Sequence, residues 1–68
     1  MDTQPSPAAL RDRKMHELRL FIVTMKQSRD EVSIAYNDGI LEGRLSELKD
    51  LGILSEEDVS ILQAEASL

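Results

Sequence analysis

Side chains that could act as acids, bases or nucleophiles are sparse in this sequence of 68 residues. His16 is the single imidazole, and it stands beside Glu17 in a charged segment, which is typical of a solvated surface residue. A serine nucleophile would need a base and an orienting group, and the sequence has no second histidine. The neighbouring carboxylates Glu56 and Glu57 are explained by helix capping. We therefore expect no catalytic residue and no enzymatic activity.

Metal and cofactor sites are equally unsupported by the residue types present. The sequence has no cysteine, which excludes a disulfide and a thiolate metal site, and its one histidine makes zinc binding improbable. The segment from Asp30 to Gly39 lacks the spacing of a calcium-binding loop. The three glycines match no phosphate-binding motif. We expect neither a metal nor a cofactor.

Charge is distributed unevenly along the chain, whose formal net charge is −5. Residues 1–29 carry a net charge of +3, whereas residues 30–68 carry −8. The basic residues that could contact nucleic-acid phosphates are Arg11, Arg13, Lys14, Arg19, Lys26 and Arg29. Because stacking aromatics are not interleaved with them, we favour a basic helix packed antiparallel beside an acidic one. A nucleic-acid-associated regulator that uses the basic first helix is the alternative.

The first long element is a predicted helix preceded by a lead-in. Residues 1–7 are predicted to be disordered and residues 8–66 to form a single helical domain, with Ser6 as a possible N-cap and Pro7 in the first turn. Apolar residues then recur at helical spacing: Leu10, Met15, Leu18, Phe21, Ile22 and Met25. Val32 and Tyr36 extend this stripe, which favours one helix over residues 8–36. A break near Ser28, where residues 28–31 resemble a capping box, is the alternative.

A second helix is predicted after the turn signal of residues 37–39. Its apolar positions are Ile40, Leu41, Leu45, Leu48 and Leu51. We favour a turn here because an interior glycine costs about 1 kcal/mol relative to alanine, and two are present. In the alternative, the helix continues through Gly39 and Gly43, which then permit a close helix crossing.

The clearest local signal lies between the second helix and a short last one. Gly52 suits the left-handed position that ends a helix, and Ile53 supplies the apolar contact that accompanies it. Ser55 is a good N-cap, and Asp58 three residues later completes a box-like arrangement. The last helix carries Val59, Ile61 and Leu62 and is expected to fray near Ala66. It begins with acidic residues and contains no Lys or Arg, which argues against a role as a major-groove recognition helix.

Residues 45–62 resemble the short C-terminal ("SHOCT") helical hairpin. The resemblance is carried by Leu45 and Leu48 at helical spacing, by Gly52 at the helix end, and by the segment Ser55–Val59 that opens the next helix. In that family a leucine-spaced helix ends at glycine, and a Ser/Thr-acidic cap begins a second helix. The resemblance implies a hairpin used for oligomerisation or adaptor contacts, not for catalysis.

A second apolar side of the first helix suggests how the protein acts. Leu20 and Val23 point away from the main stripe, and Ile34 extends this second side if the helix continues past Ser28. A helix that is apolar on two sides must be covered on two sides. We favour a second copy or another protein as the cover; a three-helix unit that buries both sides unaided is the alternative.

Together these features predict an all-α helical hairpin or three-helix fold that dimerises into a bundle. We predict a small non-enzymatic regulatory protein that binds itself and another protein, with Leu20, Val23 and Ile34 anchoring one interface. An acidic phage- or plasmid-type inhibitor of a host protein is a further alternative. The longest apolar run has four residues, far below the ~20 that cross a bilayer, so no membrane role is expected. The N-terminus has no leader pattern, which together with the lack of cysteine indicates a cytoplasmic location.

Overall fold

A computed structural model describes residues 6–67 of the protein as three α-helices and no strand. The helices are α1 (Pro7–Lys26), α2 (Glu31–Asp50) and α3 (Glu56–Ser67), which confirms the all-helical fold in its three-helix form. Ser6 is the N-cap of α1, and its hydroxyl accepts a hydrogen bond from the Ala9 amide at 3.1 Å. Pro7 lies in the first turn, as predicted. The rest of the predicted lead-in, residues 1–5, lies outside the described residues.

The predicted single helix over residues 8–36 is wrong, because the chain breaks between Lys26 and Glu31. The alternative break near Ser28 is close, but the N-cap of α2 is Asp30. Its carboxylate accepts hydrogen bonds from the Val32 amide at 3.2 Å and from the Ser33 hydroxyl at 2.9 Å. These bonds compete with the helical ladder, so an aspartate at this position starts a helix instead of continuing one.

The predicted turn at residues 37–39 is also wrong, because α2 runs unbroken through Gly39 and Gly43. Leu41, Leu45 and Leu48 are buried in the core, and their packing outweighs the low helix propensity of the two glycines. The glycines do not permit a close helix crossing within the chain either. A Cβ built at Gly39 or Gly43 would meet no other atom within 4 Å.

The end of α2 follows the prediction closely. Gly52 adopts the left-handed conformation with φ of 76°. The Ile53 amide donates to the Leu48 carbonyl and the Gly52 amide to the Lys49 carbonyl, both at 3.0 Å, as in a Schellman motif. Ile53 then packs against the core. This motif reverses the chain and places α3 back along α2.

One core lies between the three helices. Its buried apolar residues are Met15, Leu18, Ile22, Met25, Leu41, Leu45, Leu48, Leu54 and Leu62. Phe21 and Val59 pack against it from the edge. Val32 and Tyr36, which the sequence placed on the core stripe, are instead 75% and 70% exposed. The break at residues 27–30 changes the phase of α2 relative to α1, so the first two turns of α2 no longer continue the apolar face of α1.

Ion pairs and hydrogen bonds between helices give their directions. Arg11 pairs with Asp58, and Arg19 with Glu65, so α1 and α3 run parallel to each other. Lys49 pairs with Glu56, and Gln63 donates to Glu42, so α3 runs antiparallel to α2. It follows that α2 also runs antiparallel to α1. Because α1 carries five basic and two acidic side chains and α2 carries two basic and five acidic ones, a basic helix lies antiparallel beside an acidic one, as predicted. The second acidic helix, α3, lies parallel to α1, because the chain returns through α2 before α3 begins. No helix within residues 6–67 has the length and hydropathy needed to cross a membrane.

Candidate interaction surfaces

The Asp58 side chain is hydrogen-bonded both to the start of its own helix and to α1. The Ser55 amide donates to its Oδ2 at 3.1 Å, and its own amide donates to the Ser55 hydroxyl at 3.0 Å, which confirms the predicted capping box. Arg11 adds two further bonds, from Nε to Oδ2 at 3.0 Å and from Nη2 to Oδ1 at 2.6 Å. Gly52, Ser55 and Asp58 are thus structural residues, and Asp58 also ties α3 to the start of α1.

The pKa of Asp58 reflects these contacts. The residue is buried, with 6% of its surface exposed, and burial alone would raise the pKa of its carboxyl group. The hydrogen bonds from the Arg11 guanidinium outweigh this effect and, with the bonds from Ser55, lower the pKa of Asp58 from 3.8 to about 2. Asp58 is therefore a charged, fully bonded carboxylate at neutral pH, and it has no proton to donate to a substrate.

Three of the residues predicted to contact nucleic acid form ion pairs within the protein. Arg19 makes a two-pronged contact with Glu65, from Nη2 to Oε2 at 2.7 Å and from Nε to Oε1 at 2.9 Å, which raises the pKa of Arg19 and lowers that of Glu65. Lys14 lies 3.3 Å from Glu17 on the same helix. With Arg11 bound to Asp58, three of the basic candidates face acidic partners. Arg13, Lys26 and Arg29 are exposed.

The outer face of α1 carries the predicted interaction residues Leu20 and Val23. They are 55% and 53% exposed, so the three-helix unit does not cover them. Val23 borders a shallow groove between α1 and the end of α3, with Arg19, Lys26 and Glu65 as charged walls. Ile34 is half-buried on α2, on a different helix, because the chain breaks before it. Its predicted place in the same stripe is wrong. We call Leu20 and Val23 the α1 patch.

The outer face of α2 is uncharged over most of its length, up to the last turn, which the sequence analysis did not predict. Its residues are all exposed and lie opposite the buried leucines: Val32, Ala35, Tyr36, Gly39, Ile40, Gly43 and Ser46. We call these residues the α2 face. Its signal in the sequence is the spacing of Val32, Tyr36, Gly39 and Gly43, at steps of four, three and four residues. We did not predict this face because a turn at Gly39 would have placed Val32 and Tyr36 on a different helix from Gly43.

The residues that could bind a metal or act as acids and bases were located within residues 6–67. No group of three or more His, Cys, Asp or Glu side chains in this range could hold a metal ion. His16 is exposed on α1, and the carboxylates of Glu56 and Glu57 are exposed in the first turn of α3, where the helix dipole favours them.

Comparisons of the chain with known protein families, with curated proteins and with solved structures find no match. The resemblance of residues 45–62 to the SHOCT hairpin therefore stays a prediction.

Proposed function

We propose that this chain is a small, non-enzymatic regulatory protein that acts by protein–protein interaction, as a homodimer that binds a further protein. The observation that carries the proposal is that a complete three-helix core leaves apolar side chains exposed on two separate helices. Leu20 and Val23 lie on α1, and Val32 and Tyr36 lie on α2. Two uncovered surfaces suit a protein that holds two neighbours.

The α1 patch is the surface that we assign to the regulated protein. Leu20 and Val23 supply an apolar centre, and the exposed cations Arg13 and Lys26 lie on the same helix. An interface with an apolar centre and a charged rim follows the usual anatomy of protein contacts. The complementary partner surface is apolar with acidic neighbours. The lack of cysteine in the chain fits a partner in a reducing compartment such as the cytoplasm.

Photocrosslinking in an extract of the source organism tests the contact with a regulated protein. Thr24 is exposed one residue after Val23, so we would replace Thr24 with the photoreactive residue benzoylphenylalanine. We expect an adduct with a different protein that excess wild-type chain suppresses and the double variant Leu20→Glu, Val23→Glu does not. Both substituted side chains face solvent, so this variant retains its fold.

The matched control places the same photoreactive residue at Ser60, which is exposed on α3. An adduct that forms equally from both positions, or that wild type and the double variant suppress equally, would show that the α1 patch is not a specific docking surface. Light scattering across a concentration series tests the homodimer separately, with an expected mass of twice 7.6 kDa.

A further inference from the structure

The α2 face is unlike an ordinary solvent face of a helix. At about 100° per residue, its members lie on the side opposite Leu41, Leu45 and Leu48. From Val32 to Ser46 this side carries no charge, although the chain is 31% charged overall, and Glu47 and Asp50 bring charge to it in the last turn of α2. Surface helices of globular proteins place charged and polar residues on this side. A helix with an uncharged outer face over four turns indicates a surface that another chain covers.

Gly39 and Gly43 lie at the centre of this face. Each weakens an isolated helix relative to alanine. The fold of the single chain does not explain them, because a Cβ at either position would meet nothing within 4 Å. Both have ordinary helical conformations, so no turn requires glycine there. A second helix that lies directly against this face would make use of both glycines, since two backbones can then approach closely.

We infer that the α2 face binds a second copy of this chain, with the two α2 helices antiparallel about a two-fold axis between residues 39 and 40. In this register, two residues whose numbers sum to 79, one from each copy, lie at the same height along the paired α2 helices. Tyr36 then faces Gly43 of the second copy, and Ile40 faces Gly39. These two large side chains each meet a glycine, the symmetry repeats both contacts, and Val32 faces Glu47 of the second copy. The surface is thus complementary to itself in size, as a two-fold interface requires.

Charge complementarity at the ends of α2 supports the same register. Arg29, which precedes the N-cap of α2, lies at the height of Asp50 of the second copy. Arg29 and Asp50 are exposed, and neither makes an ion pair within residues 6–67. The two-fold axis creates this pair twice, once at each end of the seam. Opposite charges at both ends favour a second copy over an unrelated acidic or basic chain.

Charge reversal tests this pairing directly. The variants Arg29→Glu and Asp50→Arg each place like charges at both ends of their own homodimer. We expect the dimer dissociation constant of each variant to rise by about tenfold. In an equimolar mixture, opposite charges are restored at both ends, so a heterodimer should form with about the affinity of the wild type. Sedimentation velocity with one variant fluorescently labelled measures all three constants. Equal affinities for the mixture and the separate variants would overturn the register.

A size substitution tests the glycine contacts. Gly43→Leu fills the space that Tyr36 of the second copy occupies. In the single chain Gly43 is exposed and a Cβ there meets nothing within 4 Å, so we expect the helix to stay folded. We expect this variant to remain monomeric with unchanged helical circular dichroism. Ser60→Leu adds the same side chain to the exposed face of α3 and should leave the dimer intact. A Gly43→Leu dimer as tight as the wild type would overturn the inference.

This inference rests on the homodimer of the proposed function, and the outcomes separate the two. A wild-type chain that stays at 7.6 kDa at all concentrations would overturn the homodimer and this inference together, and the crosslinking of Thr24 would still test the regulated partner. A dimer lost in the Leu20→Glu, Val23→Glu variant and kept in Gly43→Leu would assign pairing to the α1 patch, which overturns this inference alone.

Discussion

At the scale of single residues, Asp58 shows how a small protein keeps a buried charge. A carboxylate taken out of water is costly unless its oxygens are hydrogen-bonded and its charge is paired. Asp58 meets both conditions, through the Ser55 amide on its own helix and the Arg11 guanidinium on α1. The sequence predicted the local half of this arrangement, because a capping box is set by residues three apart. Arg11 is 47 positions away, and no local spacing rule could identify it.

Replacing the charge of Asp58 should change the pH dependence of stability. Because folding lowers the pKa of Asp58 to about 2, its stabilising contribution is complete above pH 3.8 and is lost as the pH falls toward 2. Asp58→Asn should cost about 1–2 kcal/mol at pH 7, through the lost ion pair and weakened cap. The difference from the wild type should shrink between about pH 4 and pH 2. Urea denaturation at a series of pH values measures it.

The control for this prediction is Glu57→Gln, which removes an exposed carboxylate from the same helical turn. Its unfolding free energy should stay close to that of the wild type at neutral pH. If Asp58→Asn differed from the wild type by the same amount at pH 7 and pH 2, the ion pair with Arg11 would not contribute in the way that its geometry indicates.

At the scale of elements, the caps were predictable and the helix lengths were not. Ser6, Gly52 and Ser55 act through neighbours within a few positions, and all three have the predicted roles. The ends near residues 27–39 depend on a balance between local preference and core packing. α1 ends at Lys26 and Asp30 begins α2, with no glycine or proline between them, whereas Gly39 lies inside a helix whose core side is rich in leucine. Propensity alone gives the wrong answer in both places.

The same substitution should therefore have opposite effects at two glycines. Gly52→Ala places a side chain in a left-handed conformation, with φ of 76°, and should destabilise the fold by about 1 kcal/mol. Gly39→Ala adds a methyl group in open space on a regular helix and should stabilise the monomer by up to about 1 kcal/mol. Thermal unfolding of dilute protein, below the dissociation constant of the dimer, compares them. Two shifts of the same sign would contradict the helix boundaries described above.

At the scale of the whole molecule, the sequence predicted the antiparallel packing of a basic helix on an acidic one, which α1 and α2 show, but not the parallel packing of α1 on α3. Charge patterns identify which helices attract each other and contain no information about order in space. Two ion pairs, Arg11 with Asp58 and Arg19 with Glu65, join α1 to a parallel α3, so α2 must return between them. The exposed apolar residues were likewise predicted only in part. The exposure of Leu20 and Val23 was expected, whereas that of Val32 and Tyr36 depends on the phase of α2 after the break.

This charge arrangement also predicts how the protein treats nucleic acid. Arg11, Lys14 and Arg19 face acidic partners, and α2 and α3 both carry net negative charge, so few cations are left to contact phosphates. We expect no change in the fluorescence anisotropy of a labelled DNA duplex, even at low ionic strength where phosphate contacts are strongest. Binding that weakens steeply as salt rises, and that disappears in an Arg13→Glu, Lys26→Glu variant, would contradict this prediction. That outcome would favour a regulator that contacts nucleic acid through the exposed cations of α1.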